Sequence, residues 1–485
     1  MDKEHNWWTR PCGGFDVLRQ AVPLIISGGC ISLINFTDRL FLMWHSDVQP
    51  DAMTASLLAG MLFWTAIAIP LAAAGLVTTF VAQYHGSGND HRVGHVVWQG
   101  IWFGFVVMPV LLFLFEPFAL VFILFGHEWE LVALERTYYF YTLLGCGAAI
   151  SAEAAASFFR GLGKMRIEMY NNVFCLFLNI FLDYCLIFGN VGFPEWGLAG
   201  AAIATAITLW VRFLIYVVLM FVHDYNANKF QILRGMRLDL PLIGRICYYG
   251  IPAGLYTFID CLTFTAFVLL IGGMGTVQRN ATTIAFTLNS FTFIPLNGIG
   301  ISVTSMVGNQ LGKNRPDMAR RVTMTAQMIG CVYAGFFGLA FLVCPELFLS
   351  LFAAYTNPEE FAVAEEFAAA HDLCVVLLRF IALYLFFDSS LAIFFGALRG
   401  AGDTIFIARL VGILAPLLPI GSVIGIHYFG LGVLWCWTVL TLYVVAYWFC
   451  LMLRYCGRVW ESMRVIEKEL IHLPKPVETS DNRTF

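Results

Sequence analysis

Charge is scarce in this 485-residue chain: 28 Lys and Arg and 32 Asp and Glu make up 12% of it. A soluble globular protein carries roughly a quarter. A water-facing surface of this size cannot be covered with so few charges. Disordered, collagen-like and disulfide-framework classes fall with the same composition. The 13 cysteines form no C-x-x-C pair and lie scattered in apolar stretches, so they read as small core side chains. Histidine is missing from the apolar interiors. All ten lie in tails, loops or span ends, and only His85, His91 and His95 cluster, in a loop. No Ser–His or His–metal constellation for a membrane enzyme can be drawn from them. The Gly-rich stretches lack the Lys-Ser/Thr of a phosphate-binding loop, so ATP is not the expected energy source. The start, MDKEHNWWTR, is too polar for a secretory apolar region, and the first span is expected to insert the chain.

What is present is hydrophobicity: 59% of residues are apolar and 16% aromatic, with a mean hydropathy of +0.77. A span needs about 20 mostly apolar residues to cross about 30 Å of hydrocarbon. Twelve stretches qualify, at about 17–37, 54–82, 95–115, 133–157, 169–188, 197–221, 242–272, 282–306, 322–344, 373–397, 405–426 and 430–453. Their length and unbroken apolarity predict helices rather than the alternating strands of a barrel. Of the 28 Lys and Arg, 22 fall on one set of connections and tails, and only Arg39 and Arg279 on the other. That asymmetry puts both termini in the cytoplasm and supports an even span number. The stretch 345–372, with Glu346, Glu359, Glu360, Glu365, Glu366 and Asp372, is read as an external acidic loop.

The chain also repeats itself. FFRGLGK at 158–164 is echoed by ALRGAGDT at 397–404, VAQYHG at 81–86 by VGNQLG at 307–312, and Pro23 by Pro252. The offsets are 239, 226 and 229, each close to half the chain. Two halves of six spans share one orientation, which predicts a parallel repeat about an axis along the membrane normal. The expected organisation is an N-terminal tail 1–16, an N-lobe 17–222, a linker 223–241, a C-lobe 242–453 and a C-terminal tail 454–485.

Carboxylates inside spans are costly and mark function by default. Four stand well inside: Asp38, Asp183, Asp260 and Asp388. Asp38 lies 15 residues after Pro23, near the outer end of span one, and Asp183 near the outer end of span five. Asn179 precedes Asp183 by one turn and shares its helix face. Thr205 in span six adds a hydroxyl, completing an all-oxygen cluster suited to a hard cation or a proton. Asp260 is mid-span seven and Asp388 mid-span ten, with Tyr384 one turn from Asp388. Pro23 and Pro252 each remove a backbone hydrogen bond, so spans one and seven can bend. Glu153, seven residues before Arg160, reads as its ion-pair partner on the same helix face, and Arg212 and Arg379 as snorkelling or locally paired.

Taken in order, VAQYHGSGN, FFRGLGK, NIFLDYCLIFG, GLAGAAIAT, GIPAGLYTFID, MVGNQLGKN and ALRGAGDT resemble the multidrug and toxic compound extrusion (MATE) family, NorM-like branch, over about 15–455. The resemblance implies an all-α, twelve-helix membrane protein of two pseudo-twofold lobes. It implies a monomeric secondary exporter of small, mostly cationic organic compounds across a bacterial inner membrane. Na⁺ or H⁺ entry would drive export, with no other cofactor and no nucleic-acid partner. It further implies an N-lobe cation site at Asp38, Asn179, Asp183 and Thr205. A C-lobe site is implied at Asp260, Tyr384 and Asp388, covered by Phe293. Asp260 departs from the branch, which often carries Glu there. A lipid-linked saccharide flippase of the same superfamily stays open as an alternative, although Arg and Lys are nearly absent from span interiors.

Overall fold

A computed structural model describes residues 6–45, 48–49, 51–124, 127–224, 228–353 and 361–467, with backbone only at 351–353 and 361–369. Lys3, His5, Glu359, Glu360, Lys468, His472, Lys475 and Arg483 therefore lie outside the described residues, as do the side chains of Glu365 and Glu366. Every regular element among the described residues is a helix.

Eleven helices are long and apolar enough to cross a bilayer, and a bent pair supplies the twelfth span. In chain order the spans are Gly14–Trp44, Ala52–Gly86, Asp90–Phe113, the pair Trp129–Leu143 and Cys146–Gly161, Met165–Phe188 and Gly197–Asp224. Then come Leu240–Gly272, Thr276–Gly312, Pro316–Val343, Phe361–Ala401, Thr404–Phe429 and Val433–Cys456. Local chemistry sets many ends. Asp239 caps span seven, its carboxylate accepting from Leu242 N at 3.2 Å, and Pro316 opens span nine. Gly189 and Gly430 close spans five and eleven at φ +69° and +61°, a left-handed conformation that favours glycine.

The structure changes three expectations about span edges. Span four is not one rod; its halves meet at 42° around Leu144 and Gly145. A short apolar helix, Phe115–Leu124, occupies what read as a connection. The acidic stretch 345–372 is not a loop where it is described: Pro345–Ala353 is a helix, and span ten begins at Phe361. The reason is composition, since the leucines of PELFLSLFA and the Ala and Glu of the run from Phe361 favour helix whether or not lipid surrounds them.

The two six-helix lobes meet through spans one and eight on one side and spans two and seven on the other. Exchanging first-half and second-half spans turns one contact into the other, as a pseudo-twofold axis requires. The glycines show this at atomic level. A Cβ on Gly298 would run into Ile25, and one on Gly254 into the Ile69 carbonyl. The offset of 229 that relates Pro23 to Pro252 maps Ile25 onto Gly254 and Ile69 onto Gly298. Likewise Gly86 lies against the Asn309 carbonyl and Gly312 against the Gln83 carbonyl. The repeated motifs VAQYHG and VGNQLG are thus the two halves of one inter-lobe contact.

That contact lies at the end of the molecule that carries the N-terminal segment, the inter-lobe linker and residues 457–467, called here the terminal face. All the hydrogen bonds described between the helices of the two lobes cluster at this end. Thr79 Oγ1 donates to Arg399 O at 3.1 Å, Gln83 Nε2 to Gly400 O at 3.0 Å and Ser305 Oγ to Arg160 O at 2.6 Å. The segment after span twelve straps the same face. Val465 N donates to Gln83 Oε1 at 2.9 Å, and Glu467 accepts from Tyr84 OH at 2.8 Å and pairs with Arg245 at 2.5 Å.

Gly86→Val is expected to destabilise the fold by about 1–3 kcal/mol, the usual cost of overpacking. The Cβ position is already occupied by backbone, which cannot swing aside. Gly244→Ala, with nothing within 4 Å of the added carbon, serves as the control. Thermal unfolding of both variants in detergent measures the difference.

Candidate cation sites

In the N-lobe, Asp38, Asn179, Asp183 and Thr205 come together. Asp38 is 3% exposed, and Asn179 and Asp183 are fully buried. With the Asn179 amide turned so that its nitrogen faces the acids, Nδ2 donates to Asp38 Oδ1 at 2.9 Å and to Asp183 Oδ2 at 3.3 Å. Thr205 Oγ1 donates to Asp38 Oδ2 at 3.1 Å. The left-handed Val191 (φ +59°) and Gly192 (φ +84°) turn the five–six connection so that Thr205 comes level with Asp38. Asp183 Oδ1 is buried without a hydrogen-bond partner. An unpaired carboxylate oxygen in an apolar interior is costly, and a proton or a small hard cation is what would relieve it.

The sequence reading missed a fifth member. Tyr138, on the first half of bent span four, lies against Thr205 and faces both carboxylates. It sits in the run TYYFY, where four neighbouring aromatic or hydroxyl side chains conceal it. Only the 42° bend selects which of them turns inward.

The C-lobe gathers a different set. Asp260 and Asp388 are half-buried, with Tyr384 buried beside Asp388. Tyr443 OH donates to Asp260 Oδ1 at 3.5 Å. Tyr256, Tyr443 and Tyr447 stack around that acid, with ring centroids 6.1 Å apart for Tyr256 and Tyr447 and 6.2 Å for Tyr443 and Tyr447. These three were missed too, although Tyr443 and Tyr447 are one turn apart on span twelve, a spacing visible in the sequence. The structure does not bring Phe293 into the set. It is 41% exposed on span eight, and no polar or ring contact described joins it to Asp260 or Asp388. Tyrosines from spans seven and twelve stand where that ring was expected.

Pro23 and Pro252 lie inside spans one and seven, both on the terminal-face side of their spans' acids. Among the described residues no three His, Cys, Asp or Glu converge as transition-metal ligands would. His85 instead pairs with Asp90 at 2.6 Å, and Asp90 with Lys229 at 2.9 Å. Each lobe therefore offers two carboxylates plus neutral oxygens, a donor set for protons or hard cations.

A model of the MatE family matches the chain twice, at residues 23–185 and 252–423, together more than half its length. The chain belongs to the MatE family. The two matches begin at Pro23 and Pro252, so the family unit is the half-chain repeat. This MatE protein is a multi-pass integral membrane transporter, not an enzyme. It is 26% identical over 466 residues to a "Probable multidrug resistance protein NorM" of Thermotoga maritima, covering 94% of this chain and 95% of that one. It is 28% identical to "Multidrug resistance protein PmpM" of Pseudomonas aeruginosa, covering 85% and 84%. The fold matches the eukaryotic MATE transporter AtDTX14 with a TM-score of 0.78 at 18% identity, covering 92% and 96%. An outward-facing multidrug resistance MATE transporter of the MOP superfamily gives a TM-score of 0.80 at 18% identity, covering 92% and 95%.

Asn179→Ala is expected to cost about 1–3 kcal/mol of stability, because two buried carboxylates lose their shared donor. Phe293→Ala is expected to leave stability unchanged. Differential scanning fluorimetry in detergent separates the two.

Proposed function

We propose that this MatE protein is a secondary active multidrug exporter that moves small amphipathic organic cations out of the cell against entry of Na⁺ or H⁺. The observation that carries the reading is the pair of intramembrane carboxylate clusters, one per lobe, each completed by oxygen donors. Relatives named as multidrug resistance proteins, with which the chain aligns over most of its length, support the cargo class.

The chemistry follows from charge. Each cluster, once its acids give up their protons, is anionic and attracts a cation into a low-dielectric site. In the C-lobe, carboxylates beside tyrosine rings suit an organic cation, because a ring face attracts positive charge and its body gives apolar area. In the N-lobe, the tight Asp38–Asn179–Asp183 cluster has no room for an organic molecule and suits Na⁺ or a proton. An inorganic cation that neutralises the acids removes the partner of the organic one, and this competition couples the two flows. With the positively charged connections inside, entry of each cation gains about 2.3 kcal/mol per 100 mV of membrane potential. Both tails then lie in the cytoplasm, the terminal face is the cytoplasmic face, and the protein sits as a monomer in a bacterial inner membrane. The lobes are residues 17–222 and 242–453, joined by 223–241.

Ethidium or norfloxacin transport in inverted membrane vesicles, with Na⁺ and H⁺ gradients imposed separately, tests the reading. One gradient is expected to drive transport, and Asp38→Asn and Asp388→Asn are each expected to reduce it by about tenfold or more, as loss of a paired intramembrane charge would. Undiminished gradient-driven transport in both variants would remove the carboxylates from the mechanism. No transport by the wild type under either gradient would overturn the drug-export reading and favour a lipid-linked saccharide as cargo.

A further inference from the structure

The Gly-rich motifs that end spans four and ten place an arginine at equivalent positions, Arg160 and Arg399, related by the offset of 239. The backbone is equivalent too, with Gly163 at φ +73° and Gly402 at φ +93°. The surroundings are not. Arg160 is satisfied inside its own lobe: Nε and Nη2 donate to Glu168 at 2.7 and 2.6 Å, and Nη1 to Glu153. Moving Glu153 and Glu168 by the same offset lands on Ala392 and Ile407. The C-lobe thus keeps the arginine and has lost both acids. Among the described residues, no carboxylate lies within ion-pair distance of Arg399.

Arg399 turns to the other lobe instead. Its Nη2 donates to Ala72 O of span two at 3.4 Å, and its Nε is buried without a partner. Nη2 of Arg399 and Oε1 of Glu153 flank Gly75, each 3.1 Å from where a Cβ on that glycine would sit. Glu153 is the acid that faces this guanidinium, and Gly75 leaves the space between them open. The carbonyls of Arg399 and Gly400 accept the inter-lobe bonds from Thr79 and Gln83, so the side chain and its backbone belong to the same closure.

We propose that Arg399 is a positioning residue for the transport cycle: a C-lobe cation seated in an N-lobe niche completed by Glu153, which sets how often the terminal face opens. A half-buried guanidinium whose Nε is sealed off without a partner is costly, and the field of Glu153 offsets that cost. When the lobes part, Arg399 leaves with the C-lobe and regains water. Glu153 stays balanced by Arg160 and by Arg212, whose Nη2 is 3.9 Å away. Seated and released states are therefore both tolerable, which a switch requires and a permanent structural pair does not. The inference rests on reading the chain as a transporter that alternates between two openings, but it is tested by conformation, not by cargo.

Hydrogen–deuterium exchange of the full-length protein in nanodiscs reads the equilibrium directly. In Arg399→Gln, exchange is expected to rise about tenfold, a typical coupling factor, in residues 77–86 and 304–312. It is expected to fall in residues 31–44 at the opposite end, as closing one face opens the other. Arg399→Lys keeps the charge and is expected to shift the pattern less. Gly75→Ala keeps both charges, puts a methyl between them, and is expected to give the same reciprocal pattern; it carries the test if the glutamine variant does not fold. Uniformly faster exchange, or no change in either variant, would overturn the proposal. A wild type that moves no drug under either gradient would overturn the proposed function and leave this comparison intact.

Discussion

The lobes are held together by backbone against backbone. Gly86 rests on the Asn309 carbonyl and Gly312 on the Gln83 carbonyl, a reciprocal contact that only residues without a Cβ permit. In a bilayer, apolar faces gain little by meeting each other rather than lipid, so close approach and hydrogen bonds decide where helices associate. The glycine contact supplies the approach, and the bonds from Thr79, Gln83 and Ser305 then form across it. The rest of the architecture can be read as what this junction leaves free. Polar contact is concentrated at one face, and the carboxylate clusters stand away from it, Asp388 about 20 Å along its helix from Ala401.

The two clusters differ in a way that the pseudo-symmetry does not require. The N-lobe set is sealed, and its two acids share one amide donor. The C-lobe set is half-open and ringed by phenols. The lobes have drifted apart: the offset of 229 carries Asp38 onto Phe267, and the offset of 239 carries Ala149 onto Asp388, so each lobe holds its acids where the other has none. The same drift shows at the terminal face, where one arginine keeps its acids and the other has only those across the interface. Duplication provides matching frames, and loss of side chains on one side provides the asymmetry between the lobes.

Much of this was legible in the sequence. Twelve spans, the half-chain repeat, the four intramembrane aspartates and the Glu153–Arg160 pair follow from hydropathy, offsets and helix periodicity. Asn179 and Asp183 are four residues apart, so their shared face needs no tertiary information. The misreadings have two causes. The bend in span four and the tyrosines around Asp260 depend on how a side chain or segment is covered by distant ones, whereas the helices within 345–372 follow from local composition that the acidic charges obscure. Phe293 rests on resemblance alone, and the structure leaves it 41% exposed on span eight.

By itself, the sequence determined that the chain lives in a membrane, how often it crosses and which charges it buries, because the bilayer penalises each buried charge and rewards each apolar turn independently of the fold. Only the tertiary structure decided which buried charges meet. Asp260 and the Tyr443 that bonds it are 183 residues apart, and Arg399 and Glu153 stand further apart still. Such pairs are set by where helices touch, and in lipid that is fixed by a few glycines and carbonyls whose role no local pattern announces.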